Sequence, residues 1–220
     1  MVRPRAPTAE EVERIRAEMP TARDRAMVSL GAYAGLRPQE VLALSWDAVR
    51  ERVLWIDSAD DGHGQVKDTK TRLARSVPIV PSLAEDLDRL RPKAPFGEAL
   101  VVTGARQGPL DLKNWRSRVW HPALQRAGVK RAVPYDLRHT FASLMIYGGA
   151  SVVEVAAPVG HARPTLTLER YAHLFADADG APRVPLAEAT TAARNALARA
   201  DVLSLFSEDP PALHRRAAAG

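Results

Sequence analysis

Five polar residues in this 220-residue chain have side chains that together could break and remake a phosphodiester. Arg37 follows a glycine turn in "AGLRPQEV", Lys70 lies in "VKDTKTRLARSVPI", Arg138 in "YDLRHTF", His161 in "VGHARPT" and Tyr171 in "TLERYAHLF". Two arginines offer planar forks to non-bridging oxygens and to the charge that grows in a transition state. A lysine on a flexible turn can protonate a leaving oxygen, and a histidine can hydrogen-bond the phosphate or the nucleophile. A tyrosine hydroxyl can attack phosphorus and split one hard step into two through a covalent intermediate. Each residue alone has a plainer reading. Arg37 could pair with Glu40, Lys70 could be a solvated loop lysine, and His161 could cap a helix end. Tyr171 has Leu168, Leu174 and Phe175 at helical offsets and could be a core tyrosine. The sequence carries no cluster of acidic residues of two-metal type and no G-x-x-x-x-G-K phosphate loop, so it does not favour those routes to phosphoryl transfer.

Arg138 needs an explanation of its own. It sits in "VPYDLRHTFASLM", where Leu137, Phe141, Leu144 and Met145 make the apolar stripe of a core-facing helix and Asp136 can accept from its first turn. An always-charged guanidinium beside that stripe requires a partner. Charge elsewhere suggests what the partner is. Between Thr103 and Arg138 there are eight Lys or Arg, Lys113, Arg116 and Arg118 among them, against Asp111 and Asp136. From Gly62 to Val77, Lys67, Lys70, Arg72 and Arg75 face only Asp68. Such segments suit a polyanion, with a solvated basic surface as the bland alternative. The net charge of +5 is too modest to decide between them.

These residues need a scaffold, and the pattern supplies one. A capping box at Thr8 opens a helix, a second covers Arg23 to Ala34, and Pro38 begins a third. "RVLWID", "ARSVPIV" and "EALVVT" read as strands, with a possible further strand between the first two. Helices follow near 111–126, 136–148, 151–157, 165–174 and 185–206. The expected fold is mainly α with one small antiparallel β-sheet, an α+β class. With 46% hydrophobic residues the chain can fill a core, and no apolar run approaches the ~18 residues of a membrane span. It has no cysteine, which excludes disulfides and thiolate chemistry and fits a reducing cytoplasm.

The order and spelling of four segments resemble the tyrosine recombinases, or phage integrase family. "AYAGLRPQEVLALSWDAV" looks like the family's first arginine box and "TKTRLARSVPI" like its lysine-bearing hairpin. "YDLRHTFASLMIYGGASVVEV" looks like the second arginine box, and "VGHARPTLTLERYAHLF" like the His-and-Tyr box. The resemblance implies that Arg37 and Arg138 clamp a scissile phosphate and that Lys70 is the general acid, with Lys67 its nearby rival. His161 then supports the phosphate, Tyr171 forms a 3′-phosphotyrosyl link, and Glu40 orients Arg37. It implies double-stranded DNA as partner, bound in part through Lys67, Arg72, Arg75, Lys113, Arg116 and Arg118. It also implies no cofactor, no membrane, and a tetramer on DNA from a chain that is monomeric alone.

Three features depart from the family pattern. Tyr135 stands where the family usually has histidine, and a phenol is a poor base at neutral pH. Pro158 interrupts the helix before His161. Only 36 residues precede Arg37, so residues 1–180 are expected to be a catalytic domain without the family's core-binding domain. Residues 181–209 are expected to be a C-terminal helix that docks in cis or in trans, and 210–220 a disordered tail. These departures keep a second class open, a degenerate recombinase-like module that holds DNA without cutting it. A relaxing activity of type IB topoisomerase kind is a third option.

Overall fold

The structure is a computed structural model that describes residues 6–60, 66–68, 74–91, 99–104 and 108–207, with the backbone alone for 66–68 and 202–207. Its helices are α1 (Ala9–Ala17), α2 (Ala22–Ala34), α3 (Pro38–Ala43), α4 (Pro81–Leu90), α5 (Leu112–Trp115), α6 (His121–Arg126), α7 (Asp136–Tyr147), α8 (Val152–Val159), α9 (Pro164–Asp177) and α10 (Leu186–Ser207). The strands are β1 (Val53–Ile56), β2 (Ser58–Asp60), β3 (Val66–Asp68) and β4 (Arg75–Pro78). The α+β expectation holds, with helices dominant. Among the described residues no helix is long and apolar enough to cross a membrane.

Helix α2 is the hub. Ten of its residues from Asp24 to Ala34 are buried, because it packs against α4 on one side and α7 on the other. Gly31 makes the α7 contact possible: a Cβ there would meet Leu137 at 3.0 Å. Thr21 caps the start of α2, and Gly35, at φ 66°, ends it in the left-handed conformation that glycine adopts without strain. The ring of Phe141 fills the space where a Cβ at Gly35 would be.

The strands form two antiparallel pairs rather than one sheet. Val53 to Ile56 pair with Pro78 to Arg75, and Ser58 to Asp60 pair with Asp68 to Val66. The register thus steps from Asp68 to Arg75 on one arm while the other moves only from Ser58 to Ile56. Lys70 and Arg72, in that step, lie outside the described residues, as does the side chain of Lys67. The expected strand "EALVVT" is reduced to one bridge, Leu100 with Ser45, because its neighbour there is a 3-10 turn and not a strand. Helix 111–126 is broken into α5 and α6 by a π-helical turn at Arg116–Trp120, just before Pro122. Helix α4 is an addition the sequence reading lacked, although Pro81 at its start and Leu83, Leu87 and Leu90 on one face encode it.

A buried ionic network ties the ends of the chain together. Arg16 holds Asp86 through two hydrogen bonds and Glu13 through one, Ser29 donates to Asp86 at 2.6 Å, and Tyr33 donates to Glu13 at 2.5 Å. Arg194 of α10 reaches Glu13, Glu85, Asp86 and the Ser82 carbonyl. Two guanidiniums thus face two buried carboxylates, which is the condition under which buried charge is tolerated. In this single chain α10 lies against α1 and α4, with Arg194 as its anchor. The terminal stretch 210–220 lies outside the described residues.

Candidate active site

Three turns and one strand end converge behind α7. The first turn is Gly35 to Arg37, between α2 and α3, and Pro38 at the first helical position fixes where α3 begins. The second is the end of α8, where Gly160 at φ 69° stops the helix and hands the chain to His161. The third is the entry to α7 at Tyr135, where the Asp136 carboxylate reaches back to the Val133 N–H at 2.8 Å. The strand end is Arg75, the first residue of β4. Tyr171 comes from the middle of α9, which packs on both α7 and α8.

Backbone carbonyls freed by the two glycine stops hold the arginines. Arg138 is buried to 1% exposure, and it donates to Gly35 O at 2.6 Å and to Val159 O. Arg37, about a third exposed, donates to Gly160 O at 3.4 Å and to Glu40 at 2.7 Å. Burial, then the neighbouring Arg37, pulls the Arg138 guanidinium down to about 10, so it remains a cation at neutral pH. Two of its five N–H donors are used by these carbonyls, which leaves the rest of the fork for another acceptor.

Glu40 is the counter-ion of the whole cluster. It is buried and accepts from the Arg37 backbone N–H at 2.7 Å, closing a capping box, while a bidentate pair joins it to Arg75 at 3.0 and 2.7 Å. Arg138 comes within 4.0 Å. Burial by itself would raise the Glu40 carboxyl; the bonds from Arg75 and then Arg37 outweigh it and hold the group below the usual carboxylate range. Arg75 also donates to Pro158 O at 2.7 Å, which pins the hairpin to α8. Pro158 thus stays within the last turn of α8, lacks a helical N–H, and contributes its carbonyl to the cluster.

Around Tyr171 stand two histidines. The His139 Nδ1 lies 2.7 Å from the Tyr171 hydroxyl. The His161 ring stacks 6.5 Å away from the tyrosine ring, and its Nδ1 is 2.7 Å from the hydroxyl of Thr167, one turn before Tyr171 on α9. Burial, then Arg138 and Arg37, pushes His161 down to about 4, and burial with Arg170 and Arg138 lowers His139, so both rings are neutral at pH 7. Burial pushes the Tyr171 phenol up to about 12. An open cavity of about 360 Å³ lies beside His161, lined by Ala74, Arg75, Ser76, Ala157, Gly160 and Ala162. Among the described residues no group of three or more His, Asp or Glu side chains could hold a metal ion.

Of the residues singled out from sequence, Arg37, Glu40, Arg138, His161 and Tyr171 are thus brought together, with Tyr135 at the rim. Arg75, expected among the DNA-contacting cations, is turned inward, because the buried Glu40 carboxylate requires a cation and Arg75 supplies it with only 9% of its side chain exposed. Lys113, Arg116 and Arg118 are exposed but are not in this cluster. Trp115, in the same stretch, binds Asp24 at 3.0 Å, and Asp24 lies at the opposite end of α2 from Gly35, roughly 16 Å of helix away. Lys70 is five residues before Arg75, whose side chain is fixed in the site. His139 and Thr167 were missed. The signal for His139 was its place four residues after Tyr135, and for Thr167 its place four residues before Tyr171, which puts each pair on one helix face.

Comparison with known proteins identifies the family and the fold. Residues 6–177 match the model of the phage integrase family. Tyrosine recombinase XerD of Corynebacterium glutamicum is 33% identical over 161 residues, covering 70% of this chain and 49% of that protein. Tyrosine recombinase XerA of Thermococcus kodakarensis is 32% identical over 170 residues, covering 74% of this chain and 56% of that protein. The chain spans about half the length of the curated relatives it matches. Among solved structures, a XerA recombinase superposes with a TM-score of 0.63 at 22% identity, covering 83% of this chain and 68% of that one. The Tn1549 transposon integrase in complex with a circular intermediate DNA superposes with a TM-score of 0.64 at 17% identity, covering 78% of this chain and 63% of that one.

Proposed function

The chain belongs to the phage integrase family, and on that premise we propose that it is the catalytic portion of a site-specific DNA recombinase that works through a 3′-phosphotyrosyl intermediate. The observation that carries the reading is the convergence of Arg138, His139 and His161 on Tyr171, with Arg37 held beside His161 at Gly160, from segments far apart in sequence. Arg37 and the unspent donors of Arg138 bind the non-bridging oxygens of the scissile phosphate and stabilise the charge that builds on them. Neutral His161, its Nδ1 on Thr167, offers Nε2–H as a donor to the same phosphate.

The Tyr171 oxygen attacks phosphorus, the bond to the 5′-oxygen breaks, and that oxygen takes a proton from Lys70. The anchored Arg75 is consistent with this role for Lys70: five residues of extended chain reach at most roughly 17 Å. A 5′-hydroxyl from a second strand then attacks the phosphotyrosine and releases the phenol. Double-stranded DNA is the partner, bound along the exposed cations Lys113, Arg116 and Arg118, in the cytoplasm and as a tetramer when strands exchange.

The test is covalent capture. A pool of nicked duplexes with randomised arms is incubated with the protein, and adducts that survive detergent are isolated and sequenced. Wild type yields an adduct enriched in one sequence, and Tyr171→Phe yields none. The 4% exposure of Tyr171 is the observation that favours a DNA-holding module without cleavage. Binding without any adduct would establish that module and reject the recombinase.

A further inference from the structure

We infer that His139 is a catalytic residue: its Nδ1 takes the phenolic proton as Tyr171 attacks phosphorus, and returns it when the phosphotyrosine is resolved. The inference rests on the strand-cleavage reading above and adds to it the group that activates the nucleophile.

The geometry begins with a displacement along one helix. At the start of α7, where the family resemblance leads one to expect a histidine, Tyr135 stands exposed. One turn further along the same face is His139, and the Tyr135 ring meets its ring edge-on at 5.4 Å. The His139 ring then meets Tyr171 edge-on at 5.7 Å, with Nδ1 at 2.7 Å from the hydroxyl. Hydrogen-bond distance to the proton that must be removed is the first requirement of a general base, and His139 meets it. His161 does not compete for the role, since its Nδ1 is held by Thr167.

The chemistry requires such a group. A phenol raised to about 12 is un-ionised at neutral pH and a weak nucleophile until its proton has somewhere to go. The charged and titratable groups around His139 are Arg170 on α9, Asp136 and Arg138 on α7, Tyr135, and His161 at the end of α8. Burial and the arginines outweigh Asp136 and keep the ring neutral, so its lone pair is available. The tautomer that does this carries its proton on Nε2.

The step balances. The Oη–P bond forms as the P–O5′ bond breaks, the electron pair leaves on the 5′-oxygen, and the Oη proton moves to Nδ1. The 5′-oxygen is protonated separately by the general acid. In the reverse direction a 5′-hydroxyl attacks, and the imidazolium protonates the departing phenolate.

The experiment uses the duplex enriched in the capture above, under single-turnover conditions across pH 5 to 9, with His139→Ala and His139→Asn. Asparagine at 139 can accept the Tyr171 hydrogen bond through its amide oxygen but cannot take up the proton. Both variants should form adduct at least about 10²-fold more slowly than wild type, within the usual range for a general base. Both should lose the acid limb of the pH profile, and imidazole in solution should restore part of the rate of the alanine variant. Thermal unfolding identifies which variants are folded, and the asparagine variant alone suffices if alanine is not tolerated. A wild-type rate and pH profile in His139→Asn would overturn the assignment and leave His139 as a mere hydrogen-bond acceptor. No adduct from wild type would instead reject the strand-cleavage reading and this step with it.

Discussion

Arg138 sets the terms of the site at the scale of single residues. Its guanidinium is spent partly on the carbonyls of Gly35 and Val159, so the residue is a structural bolt as well as half of the phosphate clamp proposed above. Arg138→Lys can satisfy one of those carbonyls at best. The variant should lose about 1–3 kcal/mol in chemical denaturation, the cost of a buried carbonyl left unpaired, and should form no more than a few per cent of the wild-type adduct. Glu40 is the converse case, a buried anion surrounded by cations. Glu40→Gln strands the Arg75 guanidinium and should cost about 3 kcal/mol, read from the urea midpoint. His161 gives a pH signature. Its native pKa of about 4 lies below the ordinary ~6.5, so between those values the unfolded chain binds more protons than the native one. Stability should therefore fall as pH drops from about 6.5 to about 4. A bound duplex places an anion against the ring and should move its NMR titration upward.

Elements decide which of these residues can meet. The stops at Gly35 and Gly160 turn helix ends outward and present the carbonyls that the arginines use, and the first has no room for another residue. Gly35→Ala forces a left-handed φ on a side chain whose Cβ would strike the Phe141 ring. It should be destabilised by more than about 1 kcal/mol and lose adduct formation in proportion to the displaced Arg138. Here the limits of sequence reading are visible. Boxes around Arg37, Arg138 and His161 were legible because chemistry-bearing types stand next to helix starts and glycine stops, and Tyr171, in mid-helix, was legible only through the family resemblance of its box. The inward turn of Arg75 was not legible, since its partner Glu40 is 35 residues away on α3 and only tertiary packing brings the two together. His139 was in view within "YDLRHTF" but adjacent to an arginine that explained the motif already. Helix α4 was passed over although its apolar spacing is plain, and the π-helical turn before Pro122 has no signal in periodicity.

At the scale of the whole molecule, the candidate site and the terminal helix hang on the same hub, α2. The site forms at its Gly35 end, and the buried network of Glu13, Arg16, Asp86 and Arg194 fastens α10 to α1 and α4 alongside it. Arg194→Ala removes the anchor of α10 and leaves Glu13 to Arg16, and Asp86 to Arg16 and the largely exposed Arg89. The amides of α10 should then exchange much faster than those of α2, with a fall of several degrees in Tm. The exposed cations proposed to contact DNA stand toward the other end of α2. Neutralising Lys113 and Arg116 together should weaken duplex binding for every sequence and lower the slope of log affinity against log salt by about 2. The proposed function requires that Tyr171 be the nucleophile of a strand-cleaving site. Incubation with the nicked duplex pool, followed by detergent and peptide mapping of the DNA-linked fragment, tests it directly. A Tyr171 nucleophile gives one cross-linked peptide containing Tyr171 and no adduct from Tyr171→Phe. An adduct that persists in that variant, or one that maps to another residue, would contradict it.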